Sequence, residues 1–343
     1  MNSSSSLKNL FEQSLNQLVL ERIPNRLPGL REMVSYHFGW NDPTARFGKR
    51  LRPMLMLTTS QLFSDNAIAI MPAAVAMEVL HNYTLVHDDI EDQGQTRHGR
   101  DCLWRKYGLA QALNTGDFLS TLALDIFCDV AKTVSLEQFS LAYAAFREAA
   151  LGVLRGQYMD IHFETEKFVS LDQYLEMIRL KTACLISASI QIGGILAGAD
   201  DETKLLLQDI GEHAGLAFQI QDDYLGIWGN SASTGKSNLT DLTTRKKTYP
   251  VLLGLAECPP FRAAWEGNSE VTDEIASQMA VLLSEGGIHE KTGEAVLDHV
   301  RAIKDCQERL AHLTNSSSME FWNLLESAFS PTYAFSSMPK TRI

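Results

Sequence analysis

Apolar side chains recur at steps of three and four residues through most of the chain, which is the period of an amphipathic α-helix. The repeats run through Leu10–Leu20, Leu55–Phe63, Ala73–Leu85, Leu119–Ala131, Leu136–Leu154, Leu171–Leu196, Leu205–Ile227 and Glu274–Leu283. Strand-like alternation is scarce, and short stretches rich in Gly, Pro, Asp and Asn separate the repeats. The pattern predicts an all-α protein of about ten or more helices.

No internal repeat is visible, and no linker is long enough to separate two domains. We therefore expect one α-helical domain over residues 9–330, with a disordered N-terminal tail over 1–8 and a flexible C-terminal tail over 331–343. The predicted helices near 174–196 and 205–228 are apolar on most faces, which is typical of buried helices. Polar residues on these two helices are therefore candidates for chemistry.

The composition and net charge limit the classes of function that this chain can have. The 343 residues carry 42 acidic and 30 basic side chains, for a net charge of −12. Because this charge repels phosphates, we expect no nucleic-acid partner. Five cysteines without a CxxC spacing fit reduced thiols. The longest uncharged apolar run, over 67–77, is about half the ~20 residues of a membrane span, and no secretory signal is visible. We expect a cytoplasmic protein without a transmembrane segment.

The first acidic cluster, over residues 87–92, follows a mostly apolar run and should lie near a helix end. Asp88 and Asp92 are four residues apart and share one helix face, where like charges repel unless a cation lies between them. Hard oxygen ligands with one open side suit a partly hydrated Mg²⁺ that also binds a substrate phosphate. The alternative is a solvated acidic helix end.

A second acidic cluster lies on another largely apolar helix. Gln219, Asp222 and Asp223 can share one oxygen-rich face there. Two acidic pairs on two buried helices favour a site for several divalent ions over accidental surface charge.

Basic residues flank both clusters or interrupt the apolar helices. They are Lys49, Arg50, Arg52, Arg97, Arg100, Lys181, Lys236, Arg245, Lys246 and Lys247. Any one of them could be a solvated surface charge. Together with bound metal, however, such cations neutralise a diphosphate and stabilise it as a leaving group.

An ordered set of motifs over roughly residues 45–250 resembles the all-trans polyprenyl diphosphate synthase family, most closely its bacterial geranylgeranyl diphosphate synthases. The motifs are Gly48-Lys49-Arg50-Leu51-Arg52-Pro53, Asp88-Asp89-Ile90-Glu91-Asp92, Gly156-Gln157-Tyr158-Met159-Asp160, Lys181-Thr182, Phe218-Gln219-Ile220-Gln221-Asp222-Asp223, Thr234-Gly235-Lys236, Asp241-Leu242 and Lys246-Lys247. The resemblance implies a type I isoprenoid synthase, a single-domain helical bundle around a deep central cavity. It also implies a homodimer and a Mg²⁺-dependent prenyltransferase.

The resemblance implies a metal site made from both acidic clusters. Three Mg²⁺ ions, for which Mn²⁺ can substitute, would be ligated by Asp88, Asp92 and Asp222. Three further side chains would support these ligands: Asp89, Asp223 and Gln219. Gln219, together with Thr182, would also place a dipole near the cation that forms on ionisation.

The implied substrates are isopentenyl diphosphate and an allylic diphosphate. The allylic diphosphate would be bound by Arg97, Lys181 and Lys236, with Lys246 nearby. Isopentenyl diphosphate would be bound by Lys49, Arg52 and His81. Product length in the family depends on bulk before the first motif, here Tyr83 and Thr84. An aromatic residue followed by a small one resembles C20 synthases.

Four departures from the family pattern leave alternatives open. His98 replaces a second arginine that normally grips isopentenyl diphosphate, and histidine cannot form a bidentate fork. Asp101 and Cys102 replace a proline and a threonine, Gly226 replaces the third aspartate of the second motif, and Asn230 replaces a further aspartate. A terpene cyclase would ionise one allylic diphosphate without isopentenyl diphosphate. A non-catalytic partner subunit is a third reading.

Overall fold

The computed structural model describes residues 3–42, 48–64, 66–229, 239–268, 270–314 and 319–329. The α-helices of this part of the chain are α1 (Ser3–Glu21), α2 (Pro28–Phe38), α3 (Leu51–Ser60), α4 (Met71–Glu91), α5 (Leu103–Tyr107), α6 (Leu109–Cys128), α7 (Leu136–Thr165), α8 (Leu171–Ile178), α9 (Cys184–Leu196), α10 (Asp201–Trp228), α11 (Thr240–Thr243), α12 (Tyr249–Glu257), α13 (Pro259–Gly267), α14 (Asp273–Glu285), α15 (Ile288–Thr314) and α16 (Met319–Glu326). The helical content confirms the predicted all-α class.

Four short elements interrupt the α-helices. Turns of 3₁₀-helix cover Ala67–Ile70 and Asp129–Lys132, and a π-helical segment covers Arg179–Ala183. A two-stranded antiparallel hairpin pairs β1 (Thr96–Arg97) with β2 (Arg100–Asp101). The hairpin and the π segment both coincide with residues selected from the sequence.

The chain forms two compact units. The first comprises residues 1–150, 188–205 and 314–324, and the second comprises 151–187, 206–313 and 325–343. Each unit is assembled from three separated stretches, which is why no linker is visible in the sequence. The expected domain boundaries stay a prediction, and the expected tail over 331–343 lies outside the described residues.

Helix α1 begins at Ser3, within the stretch expected to be a disordered tail. Its inner face carries Phe11, Leu15 and Val19 at four-residue spacing, and all three are fully buried. Once this face has packed, extending the helix toward the N-terminus adds one hydrogen bond per residue fixed. Serines are also favoured at helix starts.

Helix α4 forms the core of the first unit, where it packs against α1, α3 and α6. The run from Ala73 to Met77 has no exposed surface, because apolar residues cover every face. By length and composition alone, the helical stretch Ala67–Glu91 could cross a membrane, but 67% of its most apolar window is buried inside the protein. This burial is typical of a core helix, and it places the first acidic motif at the end of a rigid element.

The second unit has its own apolar core. Members of that core from the C-terminal third are Phe261, Met279, Leu283 and Ile288. They pack with Leu242 and Val251, which flank the basic segment over 245–247. The C-terminal third, to which the sequence assigned no chemistry, therefore holds a candidate substrate-binding segment in place.

Candidate active site

The first acidic motif lies at the C-terminal end of α4. Asp88 is half-buried, Asp89 is 7% exposed and Asp92 is exposed. The Asp92 N–H donates to the Asp88 carbonyl at 2.8 Å, so the two residues are one helical turn apart as predicted. The outer two carboxylates are thus accessible to an ion with its water, whereas the middle one is enclosed.

Asp89 is enclosed because the protein binds it. Arg97 donates to both carboxylate oxygens, from Nε and from Nη2, at 2.8 Å each. Such a bidentate pair fixes both side chains. The Cys102 thiol lies beside the same carboxylate, and burial, with the charge of Asp89, raises the pKa of this thiol to about 12. Cys102 therefore acts as a neutral neighbour of Asp89.

The hairpin that carries Arg97 turns at His98 and Gly99, which both have positive φ (52° and 78°). Two such residues form the tight turn that matches the twist of a two-stranded hairpin. Arg100 ties the hairpin to α2, because it donates to the Tyr36 carbonyl at 2.8 Å and lies 5.0 Å above the Tyr36 ring. Asp101, which replaces a proline of the family pattern, pairs with Arg105 at 3.5 Å.

His98 is exposed on this turn. Desolvation and the charges of Arg97, Arg100 and Arg50 lower the pKa of His98. The imidazole is therefore neutral near pH 7 and lies among cations. It cannot supply the charge of the arginine that it replaces.

The three cations before α3 have different surroundings. Arg50 is 7% exposed and binds Glu78 at 2.6 Å and Glu12 at 2.9 Å, so it is a structural ion pair. Lys49 is exposed. Arg52 lies 3.1 Å from the Nε2 atom of His81. Arg50 is thus held inside the protein, whereas Lys49 is exposed and Arg52 is partly exposed.

His81 accepts a hydrogen bond from Arg52, because guanidinium can only donate. Burial and the charge of Arg52 lower the pKa of His81 well below its ordinary value. The neutral ring then carries its proton on Nδ1. Together, Arg52 and His81 form the polar pair that the sequence assigned to isopentenyl diphosphate.

The two positions assigned to product length lie one turn before the first motif. Tyr83 is 8% exposed, and its ring centroid lies 4.9 Å from that of His87. The Thr84 hydroxyl donates to the His81 carbonyl at 2.7 Å. A Cβ at Gly116 of α6 would come within 2.3 Å of the His87 ring, so this glycine makes room for the histidine.

Lys181 and Thr182 lie in the π-helical segment of the second unit. Single π turns are rare in proteins overall, but those that occur are often found at functional sites. Two glycines allow neighbouring helices to approach this segment closely. A Cβ at Gly156 would lie 2.3 Å from the backbone nitrogen of Lys181, and a Cβ at Gly215 would lie 2.3 Å from the Cα of Ala183. The backbone around Lys181 is therefore confined by α7 and α10.

A chain of side-chain hydrogen bonds starts at this segment. Lys181 pairs with Asp160 at 2.5 Å. The Thr182 hydroxyl donates to Gln219 Oε1 at 2.9 Å, and Gln219 Nε2 donates to Asp223 at 3.2 Å. Thr182 and Gln219 both line one pocket, and the hydrogen bond between them fixes their mutual orientation.

The second acidic motif, like the first, combines an exposed aspartate with a buried one. Asp222 is exposed, whereas Asp223 is 4% exposed. Asp223 accepts hydrogen bonds from the Tyr174 hydroxyl and, at 2.9 Å, from the Tyr249 backbone N–H. Burial raises the pKa of Asp223 to about 7, although these hydrogen bonds oppose the shift. The sequence did not reveal either tyrosine; the only signal was a polar aromatic ring on the buried face of α8.

A pocket in the second unit collects these groups. Its polar lining comprises Asp160, Tyr174, Lys181, Thr182, Gln219, Asp223, Lys246 and Thr248. The Thr248 hydroxyl is buried without a hydrogen-bond partner. The pocket therefore combines two lysines with oxygen groups, as binding of an anion together with a cation requires.

The three basic residues over 245–247 have different roles in the structure. Arg245 donates to the carbonyls of Asn268 (2.5 Å) and Trp265 (2.9 Å), and Lys247 donates to the Phe163 carbonyl at the end of α7 (2.6 Å). These two residues are structural, whereas Lys246 lines the pocket. Lys236 lies outside the described residues.

In each unit taken by itself, the donors of the acidic motif fit a hard divalent cation. Asp88, Asp92 and Asp222 present accessible carboxylates, and their neighbours Asp89 and Asp223 are engaged by protein donors. Within the described parts of the chain, no group of three or more His, Cys, Asp or Glu side chains could hold a metal ion on its own. An ion would therefore keep water or substrate oxygens as ligands, which is the usual behaviour of Mg²⁺.

Comparison with known proteins identifies the family. The polyprenyl synthetase family model matches residues 40–281. The (2E,6E)-farnesyl diphosphate synthase of Mycobacterium tuberculosis is 37% identical over 78% of this chain and 77% of its own length. The geranylgeranyl diphosphate synthase of Sulfolobus acidocaldarius is 36% identical over 73% of this chain and 74% of its own. The crystal structure of a polyprenyl synthetase from Streptomyces coelicolor matches with a TM-score of 0.82 and 30% identity, over 94% of this chain and 97% of that one.

Proposed function

This chain belongs to the polyprenyl synthetase family, and we propose that it condenses isopentenyl diphosphate with an allylic diphosphate to give the C20 product, geranylgeranyl diphosphate. It is a prenyltransferase with the all-α isoprenoid synthase fold. The observation that carries the proposal is the division of both acidic motifs. Asp89 and Asp223 are buried and bound by protein donors, whereas Asp92 and Asp222 are exposed and Asp88 is half-buried.

In the proposal, the three accessible aspartates ligate Mg²⁺, with Asp89, Asp223 and Gln219 as supports. Bound metal neutralises the diphosphate and stabilises it as a leaving group. Three Mg²⁺ ions are expected, and Mn²⁺ can substitute for them. Arg97 fixes Asp89 through two hydrogen bonds and still has Nη1 to offer to the allylic diphosphate. Lys181, Lys236 and Lys246 supply the remaining positive charge.

Isopentenyl diphosphate is bound in the proposal by Lys49, Arg52 and neutral His81. His98 occupies the sequence position where a second arginine is usual. Because histidine is neutral here and cannot form a fork, we expect weaker binding of isopentenyl diphosphate than in relatives that keep the arginine.

The proposed reaction begins when the allylic C–O bond breaks and leaves an allylic cation and diphosphate. The double bond of isopentenyl diphosphate attacks the cation, which forms the new C–C bond. The attack leaves a positive charge on a carbon of the isopentenyl unit. A carbon next to that charge then loses a proton to the released diphosphate, and a new double bond forms. In the proposal, Thr182 and Gln219, which are hydrogen-bonded to each other, place dipoles near the developing charge.

The C20 product is proposed from Tyr83 and Thr84. The ring of Tyr83 is buried against His87, whereas Thr84 adds little bulk. The first motif also carries no inserted residues. The similar proteins include synthases named for farnesyl, geranylgeranyl and geranylfarnesyl products, so the assay must decide the length.

We also propose a cytoplasmic homodimer. In the second unit, α7 exposes a row of apolar residues at helical spacing: Leu151 (40%), Leu154 (48%), Tyr158 (68%) and Ile161 (42%). Apolar rows of this kind are typical of protein–protein interfaces. A second copy of the chain would cover the row, and sedimentation velocity tests this directly.

The decisive experiment is a paired Mg²⁺ assay analysed by mass spectrometry. One reaction contains isopentenyl diphosphate with dimethylallyl, geranyl or farnesyl diphosphate, and the other contains farnesyl or geranylgeranyl diphosphate alone. We expect a C20 diphosphate in the first and no hydrocarbon or alcohol in the second. Terpene products in the second reaction, without elongation in the first, would identify a cyclase. If neither reaction shows turnover, the remaining candidate is a non-catalytic partner subunit.

The metal assignment has a separate test. Asp88→Ala and Asp222→Ala should each lower turnover by orders of magnitude while circular dichroism stays unchanged. Asp305→Asn, an exposed carboxylate on α15, is the matched control. Near-normal turnover in either alanine variant would contradict the assignment.

A further inference from the structure

Tyr174 is a buried tyrosine that lies outside all of the sequence motifs, and it lines the pocket of the second unit. It is 2% exposed, and its hydroxyl donates to Asp223 Oδ2. Burial, followed by the charge of Asp223, raises the pKa of Tyr174 well above its ordinary value. The hydroxyl therefore keeps its proton near neutral pH and acts as a donor to this carboxylate.

The position of Tyr174 is fixed by the start of α8. The Ser170 hydroxyl accepts from the Gln173 N–H at 3.2 Å, and the Gln173 side chain accepts from the Ser170 N–H at 2.9 Å. This capping box sets where the helix begins. Tyr174 follows one turn later, and its ring lies against the ring of Tyr249, with centroids 6.5 Å apart. The hydroxyl thus reaches Asp223 from a well-anchored helix.

The Asp223 carboxylate needs support of this kind because its last torsion is soft. The terminal torsion of an aspartate is broad and roughly two-fold, so covalent geometry does not fix the carboxylate plane. Two donors from separate helices converge on Oδ2, namely the Tyr174 hydroxyl and, at 2.9 Å, the Tyr249 backbone N–H. They leave Oδ1 to a third donor, Gln219 Nε2, at 3.2 Å.

The orientation of this carboxylate decides which end of the Gln219 amide meets it. An ionised carboxylate oxygen only accepts hydrogen bonds, so it binds the NH₂ end of the amide. The carbonyl end, Oε1, then accepts from the Thr182 hydroxyl at 2.9 Å. If the carboxylate turned away, the amide would be free to rotate by half a turn and exchange its two ends. Because these ends carry opposite partial charges, a dipole near a forming cation would change sign.

We infer that Tyr174 is a positioning residue for the proposed reaction: through Asp223 it holds the amide of Gln219, and with it the Thr182 hydroxyl, in the orientation that ionisation requires. The inference rests on the proposed function, in which Gln219 and Thr182 place dipoles near the developing cation. Three successive hydrogen bonds connect the Tyr174 hydroxyl to Thr182. Tyr174 therefore acts through Gln219 and not by contact with the reacting atoms.

The first measurement is steady-state kinetics of Tyr174→Phe, which removes only the hydroxyl and keeps the ring. A misplaced dipole acts on the developing charge more than on the bound ground state, so we expect kcat to fall about tenfold or more while KM for each substrate stays within about threefold. Tyr143→Phe removes a tyrosine from the aromatic cluster of Phe127 and Phe139 in the first unit, and this matched control should keep kcat within about twofold. Equal kcat values for the two variants would overturn the inference.

A double-mutant cycle separates positioning from a general structural defect. Tyr174→Phe is measured in the wild type and in a Gln219→Ala background. If Tyr174 acts through the amide, removing the amide removes its effect, so the second comparison should show a loss of kcat below about threefold. The same loss in both backgrounds would overturn the inference. If Tyr174→Phe does not fold, Asp223→Asn interrupts the hydrogen bonds at the next member and is judged by the same cycle.

Metal binding supplies a readout that does not depend on turnover. Thermal unfolding is followed during a MgCl₂ titration at fixed inorganic pyrophosphate, and the Mg²⁺ concentration that gives half of the stabilisation is compared between Tyr174→Phe and the wild type. A residue that positions Gln219 should leave this midpoint within about twofold. A rise of about tenfold would show that the tyrosine acts on metal binding instead, and it would overturn the inference.

The outcomes separate this inference from the proposed function. If the wild type elongates and Tyr174→Phe matches Tyr143→Phe, the inference is wrong and the proposed function stands. If the wild type instead converts farnesyl or geranylgeranyl diphosphate alone into terpenes, the proposed coupling is wrong, and the same cycle on those products decides the inference. If the wild type has no turnover, both are wrong, because there is no reaction for Tyr174 to support.

Discussion

Replacing Gly156 with alanine should damage catalysis more than stability. The added Cβ would lie 2.3 Å from the Lys181 nitrogen, 2.7 Å from its Cα and 2.8 Å from the Leu180 carbonyl carbon. All three are backbone atoms, so no side-chain rotation relieves the overlap. The π segment must shift until the shortest separation reaches an ordinary contact of 3.4 Å, a movement of about 1 Å.

The size of the effect follows from that movement. Overpacking of a buried site costs about 1–3 kcal/mol of unfolding free energy. A displacement of about 1 Å in a catalytic group lowers turnover by about 100-fold. Lys181 and Thr182 both move with the segment. We therefore expect kcat to fall about 100-fold while the protein remains folded at 25 °C.

A neighbouring glycine provides the control. A Cβ at Gly152, one turn earlier on α7, would meet Cys184 Sγ at an ordinary 3.4 Å. Gly152→Ala should therefore keep kcat within about threefold, as expected for a substitution without overlap. Both variants are compared by steady-state kinetics with saturating substrates, and by thermal unfolding. Equal kcat values for Gly156→Ala and Gly152→Ala would refute the reasoning.

Three further predictions concern charged and titrating groups. Arg50→Met should lower the unfolding free energy by about 3–5 kcal/mol in urea titrations, because Glu78 is left buried without its cation; the exposed control Arg301→Met should cause a much smaller loss, and equal losses would contradict this reading. His98→Arg should lower KM for isopentenyl diphosphate about tenfold through a charged hydrogen bond, whereas an unchanged KM would place residue 98 away from that substrate. Burial lowers the pKa of His299 from 6.5 to about 4, so between these pH values the unfolded chain binds a proton that the folded protein does not, and stability should fall as the pH drops through this window. His299→Asn should flatten that fall, and parallel curves for the two proteins would refute the assignment.

The sequence predicted which motif residues share a helix face, because residues on a helix keep fixed spacings. Asp88 and Asp92 lie one turn apart as predicted, and Lys181 and Gln219 reach the same pocket in the second unit. The supporting position expected for Asp89 agrees with its enclosure by Arg97. The catalytic and metal-binding roles themselves stay predictions.

Other features could not be read from the sequence, because they depend on tertiary packing. Tyr174 reaches Asp223 from 49 residues away, and a backbone N–H from Tyr249 completes the set. No local pattern marks a π turn at Lys181, since the turn forms where two helices close in. Arg50 belongs to a basic motif of the sequence, yet its burial shows that it is a structural residue. Spacing reveals which residues share a face, but not which of them are buried.

The interleaved make-up of the two units has a consequence for biosynthesis. The first unit requires residues 188–205 and 314–324 in addition to its first 150 residues, so it cannot be completed until residue 324 has been synthesised. Folding of an N-terminal domain ahead of the rest, which is common in multidomain proteins, is therefore not open to this chain. The face of helix α3 around Met56, against which Gly193 packs, stays uncovered until that later segment has been synthesised, and chaperones can bind such a surface in the meantime.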